Sequence, residues 1–331
     1  MTEKKKITYC QAIFEAYDYL LDNYPNFFVI GQGLWSPWYV GNTMNGLEKK
    51  YGKNRVIDSP VAENATTGAA LGAALTGKRP MVVHPRMDFM ILAADAMVNQ
   101  ASKWQSMLGG NKEIPLTVRG IINRGGEQGA QHSQALHAWY GHIPGLRVVM
   151  PYTPSDARDL LISSVLSNDP VLYIDDRWCY DFSEEVSEIS ELKLHKQKPV
   201  LLKRGIDATL VGVGYTTHLC MQAAELLKKV NIIVDVIDLR IVNPLLTNLI
   251  IKSVSKTKKL IVVDGGWKNY GLGAELIASV AETMGSEENY QFRRITIKDS
   301  PAPTSSVLEN YYYPSESDIV KITTQLMEKN C

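Results

Sequence analysis

Asp58-Ser59-Pro60-Val61-Ala62-Glu63, running directly into Asn64-Ala65-Thr66-Thr67-Gly68-Ala69-Ala70-Leu71-Gly72-Ala73-Ala74-Leu75, sets one carboxylate at the head of a helix built almost wholly of small residues. Gly68 and Gly72 stand one turn apart, and each such Gly weakens a helix by roughly 1 kcal/mol relative to Ala unless close approach of another backbone offsets the loss. The pattern predicts a helix that crosses a partner at short range, with Glu63 buried. Burial penalises the ionised form of a carboxyl group, which is how a protein fits one for proton traffic near neutral pH. From this stretch alone the alternative stays open: a helix-start carboxylate held by the helix dipole and doing nothing else.

Around this helix, apolar runs alternate with helix-length segments, the signature of parallel α/β architecture. Phe27-Phe28-Val29-Ile30, Met81-Val82-Val83, Leu116-Thr117-Val118-Arg119, Arg147-Val148-Val149-Met150 and Val171-Leu172-Tyr173-Ile174 read as strands of one sheet. Residues 183–198, rich in Glu, Ser and Lys, read as a linker. After it Ala208–Gly214, Ile232–Asp238 and Lys259–Asp264 open a second α/β unit, so two domains are expected, 1–190 and 191–331.

Composition fits a soluble enzyme with real cores: 331 residues, 45% apolar, and 35 basic residues balanced by 35 acidic ones. A neutral chain gives no reason to expect nucleic acid or another polyanion as partner. The opening Met1-Thr2-Glu3-Lys4-Lys5-Lys6 is charged with no apolar stretch behind it, and no run approaches the ~18 apolar residues of a membrane span, so a cytoplasmic location is expected. Cys10, Cys179, Cys220 and Cys331 are scattered without CxxC or His-paired spacing, which suggests neither zinc nor a disulfide frame. Gly212-Val213-Gly214 lacks the third Gly of a dinucleotide fingerprint and reads as a tight strand-to-helix turn.

The 58–75 segment gains meaning from its neighbours: Gly77-Lys78-Arg79-Pro80; Asp95 with Asn99 and Lys103; Gln131-His132-Ser133-Gln134; Ala138-Trp139-Tyr140-Gly141-His142; Val148-Val149-Met150-Pro151; and Asp264-Gly265-Gly266-Trp267 with Gly271-Leu272-Gly273. In this order the blocks resemble the β subunit of the E1 component of thiamine-diphosphate-dependent 2-oxo acid dehydrogenases, the pyruvate, branched-chain and acetoin group of the transketolase-like superfamily. The resemblance covers nearly the whole chain. It implies a pyrimidine-binding domain with a parallel sheet, followed by a transketolase C-terminal-like domain. It also implies an α subunit, in an α2β2 heterotetramer, that carries the Mg²⁺ and diphosphate motif, since Asp264-Gly265-Gly266 has the wrong residue order for it. A lipoyl E2 component would then receive the acyl group.

By the same resemblance Glu63 is the glutamate that hydrogen-bonds the cofactor's aminopyrimidine ring. The chemistry requires such a group, because the ring's exocyclic amine can take the proton of the weakly acidic thiazolium carbon only when a carboxyl shares a proton with the ring nitrogen. His132 matches the histidine that faces substrate and acyl acceptor, as proton donor or electrostatic partner. Met87 and Phe89 fall where the family walls the pyrimidine pocket. Asp95, Asn99 and Lys103, at i, i+4 and i+8, share a helix face either as an ion-pair ladder or near a subunit interface. Carbonyls around Leu116, Ser164, Val165, Ser167 and Asp169 align with a structural potassium site of some relatives.

Departures from the family matter equally. Gly31-Gln32-Gly33-Leu34 stands where many relatives carry an acidic pair, and His84-Pro85-Arg86-Met87-Asp88-Phe89 keeps only the last of the usual aromatic residues. An Arg in an apolar pocket is strongly unfavourable without a counter-charge, so Arg86, with His84, points to an anionic ligand, or else to pairing with Asp88. Trp35 and Trp38 either wall a substrate channel or pack at an interface. The reading is therefore decarboxylation of a 2-oxo acid with acyl transfer to a lipoyl carrier. Transketolase-like or acyloin-forming carboligation on a polar or sugar-like substrate is the alternative, and retention of Glu63 and His132 argues against a non-catalytic scaffold.

Overall fold

The computed structural model describes residues 5–285 and 289–328, which leaves Cys331 outside the described residues. In chain order the strands are β1 (Lys5–Thr8), β2 (Phe27–Gly31), β3 (Val56–Asp58), β4 (Arg79–His84), β5 (Thr117–Ile122), β6 (Arg147–Val149), β7 (Val171–Asp176), β8 (Ser183–Val186), β9 (Val200–Lys203), β10 (Ala208–Gly212), β11 (Val234–Asp238), β12 (Ile241–Asn243), β13 (Lys259–Val263) and β14 (Gln291–Ile295). The first sheet has the order β12-β6-β7-β5-β4-β2-β3, parallel except at β12, and the second has the order β14-β13-β10-β11-β9, parallel except at β9. All the apolar runs named above lie in the expected sheet. Their central strands are buried on both faces, which is why they read as continuous apolar stretches rather than alternating ones.

The two sheets share a core. Val82, Val118, Ile122 and Leu172 of the first pack in one cluster with Val211, Ile237, Leu260 and Val262 of the second. The outer face of the first sheet is covered by the helix Tyr9–Asn23, started by a reciprocal Thr8/Gln11 cap, and by the helix Pro154–Val165. Buried polar pairs fix the join between units: His137 Nε2 and Asp264 Oδ1 lie 2.8 Å apart, and Arg240 pairs with Asp156. His137 is thus a buried interdomain partner. Inside the first unit Arg119, with no exposed surface, forks onto Asp175 at 2.8 and 2.7 Å and also donates to Tyr17, Thr43 and Tyr180.

Three expectations change. The stretch read as a linker opens with β8, which pairs antiparallel with β1. Asp95–Ala101 is a π-helix, so Asp95 meets Gln100 at i+5 (2.6 Å) as well as Asn99 (2.9 Å), while Lys103 leaves that face and donates to the Pro144 carbonyl at 2.9 Å. The predicted close crossing at Gly68 and Gly72 is absent within the chain: both are exposed, and a Cβ added to either would meet nothing within 4 Å. Among the described residues no helix is long and apolar enough to cross a membrane, and Cys10, Cys179 and Cys220 are free thiols.

Candidate active site

At the carboxyl ends of β2 and β4, where open parallel sheets place their ligands, a cavity of about 520 Å³ is lined by Gln32, Tyr39, Val61, Glu63, His84, Pro85, Arg86, Phe89, Leu92 and His132. Gly31 brings β2 against β4 so closely that a Cβ there would lie 2.4 Å from the Val83 carbonyl oxygen, and this approach delivers Gln32 to the lip. Asp58 at the end of β3 fixes the following turn, its Oδ1 accepting from the backbone N–H groups of Gly33 (2.6 Å) and Leu34 (3.3 Å). Gln32 then donates from Nε2 to Glu63 Oε1 at 2.9 Å. Glu63, the first residue of the helix Glu63–Leu75 and 6% exposed, keeps its second oxygen without a protein partner among the described residues. The amide at position 32 orients that carboxyl group where an acidic residue would repel it.

His84, the last residue of β4, is 2% exposed and lies 3.3 Å from the Thr67 hydroxyl. Burial pushes its imidazole down to about 4 despite the opposing effect of Glu63, so it is neutral at physiological pH. His132 stands edge-on to Phe89 with ring centroids 5.2 Å apart, and both rings line the cavity. Arg86 donates from Nη1 to the Pro85 carbonyl at 3.0 Å and lies over the Tyr39 ring at 5.9 Å. It makes no ion pair among the described residues, and its Nε is buried without a partner. Burial, then the nearby Arg177 charge, lowers its pKa.

The structure gathers Glu63, His84, Arg86, Phe89 and His132 around one cavity and sends Met87 elsewhere. Met87–Ala93 is a 3₁₀ helix, so every third residue shares a face. Met87, Met90 and Ala93 are wholly buried in the core, whereas Phe89 and Leu92 face the cavity. Met87 instead accepts at Sδ from the Leu136 N–H, 3.3 Å away. Neither tryptophan lines the cavity: Trp35 donates to the Val56 carbonyl at 2.9 Å under Lys53, and Trp38 is 69% exposed. Tyr39, beside them, takes that place. Its contact and that of Gln32 cross long stretches of chain and leave no local sequence signal.

The carbonyls considered for potassium do not form an open cage. Val165 and Ser167 both accept from Arg79 Nη1, at 3.0 and 2.9 Å, and Ser164 accepts from the Thr117 hydroxyl. The Leu116 carbonyl accepts from the Val171 N–H, and the Asp169 carboxylate pairs with Arg147 at 2.6 Å. A guanidinium already supplies the positive charge there. No group of three or more His, Cys, Asp or Glu side chains among the described residues is placed to hold a metal.

Comparison with known proteins accords with this arrangement. Residues 5–177 match the transketolase pyrimidine-binding domain and residues 197–319 the transketolase C-terminal domain. The chain is 33% identical over 329 residues to the mitochondrial pyruvate dehydrogenase E1 component subunit beta of Dictyostelium discoideum, covering 98% of this chain and 92% of that protein. It is 35% identical over 282 residues to the acetoin:2,6-dichlorophenolindophenol oxidoreductase subunit beta of Bacillus subtilis, covering 85% and 82%. A solved split-gene transketolase, an inactive β4 tetramer, shares the fold with a TM-score of 0.75 at 20% identity, over 96% of this chain and 97% of that one. With both domains matched and a third of the residues shared along nearly its full length, the protein belongs to the transketolase-like family of E1 β subunits of thiamine-diphosphate-dependent 2-oxo acid dehydrogenases.

Proposed function

We propose that this chain is the β half of a thiamine-diphosphate-dependent enzyme that decarboxylates a 2-oxo acid and passes the acyl group to a lipoyl acceptor. It works in the cytoplasm with an α subunit in an α2β2 heterotetramer, and the α subunit holds Mg²⁺ and the diphosphate. The observation that carries the reading is Glu63: one oxygen is fixed by Gln32, and the other is left without a protein partner at the edge of a cavity. Thiamine diphosphate, when bound, supplies the electron sink that lets a 2-oxo acid lose carbon dioxide. Glu63 would hold a proton opposite a ring nitrogen, Phe89 would exclude water from one side, and His132 would face substrate as proton donor or electrostatic partner. The potassium ion expected from the resemblance is not part of the proposal, because Arg79 donates to the Val165 and Ser167 carbonyls that would hold it. The test is co-expression with the α partner, followed by assay of candidate 2-oxo acids with and without a lipoyl acceptor. Release of carbon dioxide with lipoyl-dependent acyl transfer is expected; a well-assembled complex that decarboxylates no 2-oxo acid would overturn the reading.

A further inference from the structure

Two guanidinium groups at the cavity wall act on each other electrostatically, and neither forms an ion pair among the described residues. Arg86 lines the cavity. Arg177, at the end of β7, donates from Nη2 to the Tyr39 carbonyl and, like Arg86, has a buried Nε with no hydrogen-bond partner. Of the acids near them, Asp175 is committed to Arg119 and Asp176 to Arg124 at 2.7 Å, while Asp88 accepts through Oδ1 from the Gln134 N–H (3.0 Å) and Nε2 (2.9 Å) and keeps a buried Oδ2 without a hydrogen-bond partner. Asp88 forms no ion pair with Arg86, although its charge favours the guanidinium from a distance, so the direct pairing that was one of the two outcomes open from the sequence is not made. A partly buried, unpaired guanidinium beside a like charge is unfavourable, and an apolar 2-oxo acid in the cavity would desolvate it further without compensation. Its planar fork is suited to bidentate contact with a carboxylate or a phosphate.

Resting on the 2-oxo acid reading above, we propose that Arg86, supported by Arg177 behind Tyr39, forms an oxyanion subsite in the cavity wall. The substrate is then a 2-oxo acid that carries a second oxyanion, carboxylate or phosphate, beyond its reacting carbonyl.

The test uses the assembled complex and compares kcat/KM for 2-oxoglutarate, 2-oxoadipate and 3-phosphohydroxypyruvate with kcat/KM for pyruvate and 2-oxobutyrate. Wild type is expected to prefer a dianionic substrate, and the carboxylate and phosphate arms identify which oxyanion it takes. In Arg86→Met the ratio of dianionic to monoanionic kcat/KM is expected to fall about 10- to 100-fold. Arg86→Lys, which keeps the charge and loses the fork, should fall in between, and it carries the test if the Met variant does not assemble. A wild type that prefers pyruvate or 2-oxobutyrate overturns the subsite while leaving the decarboxylase reading standing. So does a ratio unchanged in the variants with all rates falling together, the result expected if a carboxylate of the α subunit pairs with Arg86. Inactivity on every 2-oxo acid overturns both.

Discussion

Glu63 owes its position to a relay of three side chains, each reading the next: Asp58 fixes the turn at Gly33, the turn presents Gln32, and Gln32 holds one Glu63 oxygen. In the proposed role the carboxyl group acts through a shared proton rather than through bulk, so Glu63→Gln and Glu63→Ala should leave folding and assembly intact. Turnover by the assembled enzyme should drop about 10²–10⁴-fold, the usual contribution of a positioned acid–base group. Steady-state kinetics on complexes checked by light scattering decides it, and near wild-type turnover in either variant would remove Glu63 from the chemistry. Of the residues that line the cavity, those legible in the sequence lay inside compact blocks, Glu63 and His132 above all. Met87 was misplaced because a run read as a pocket wall is a 3₁₀ turn whose three-residue repeat divides it between core and cavity. Gln32 was visible only as a departure, since the contact that gives it a role spans 31 residues.

At the scale of elements, the buried central strands were legible because their apolar runs are continuous, and the edge strands were not. β14 carries Arg293 and Arg294 on a half-exposed edge, β12 is three residues long, and β8 is largely polar, so each lacks the apolar run that marks a strand. The helix Glu63–Leu75 poses the opposite case: its small-residue face was legible, and the chain alone supplies no partner for it. That makes a prediction with two signs. Gly68→Ala and Gly72→Ala, each with open space for the new methyl group, should stabilise the isolated chain by about 0.5–1 kcal/mol through helix propensity and reduced freedom of the unfolded chain. If an α-subunit backbone crosses there, the same substitutions should weaken the heterotetramer. Thermal melts of the chain and sedimentation of the complex read the two effects separately, and variants that assemble as tightly as wild type would rule out a close crossing on this face.

The whole molecule is two parallel sheets joined across a shared core, with β12 returning after the second unit begins to edge the first sheet. Ionisable groups are buried near this join, and Asp238 is the one whose titration should be visible. Its Oδ1 accepts from the Thr217 hydroxyl at 3.0 Å and the Arg240 N–H at 3.3 Å, and its Oδ2 is buried without a partner. Burial, then the Asp156 charge across the join, pushes its pKa up to about 8. A carboxyl group raised in the folded state contributes stability that is complete below its unfolded value, near 4, and is lost as pH rises through 8, with a slope of about 1.4 kcal/mol per pH unit between them. His84, pushed down to about 4, has the reverse slope: its contribution is complete above about 6.5 and is lost as pH falls toward 4. The two oppose each other below about 6.5, and from there to about 8 Asp238 acts alone of the pair. Asp238→Asn cannot ionise, so across that upper window its melting temperature should gain on wild type by about 2 °C per pH unit. Parallel melting curves for the two proteins between pH 6.5 and 8 would mean that Asp238 is already ionised in the fold, and that Arg240 or water reaches the oxygen left unpaired here.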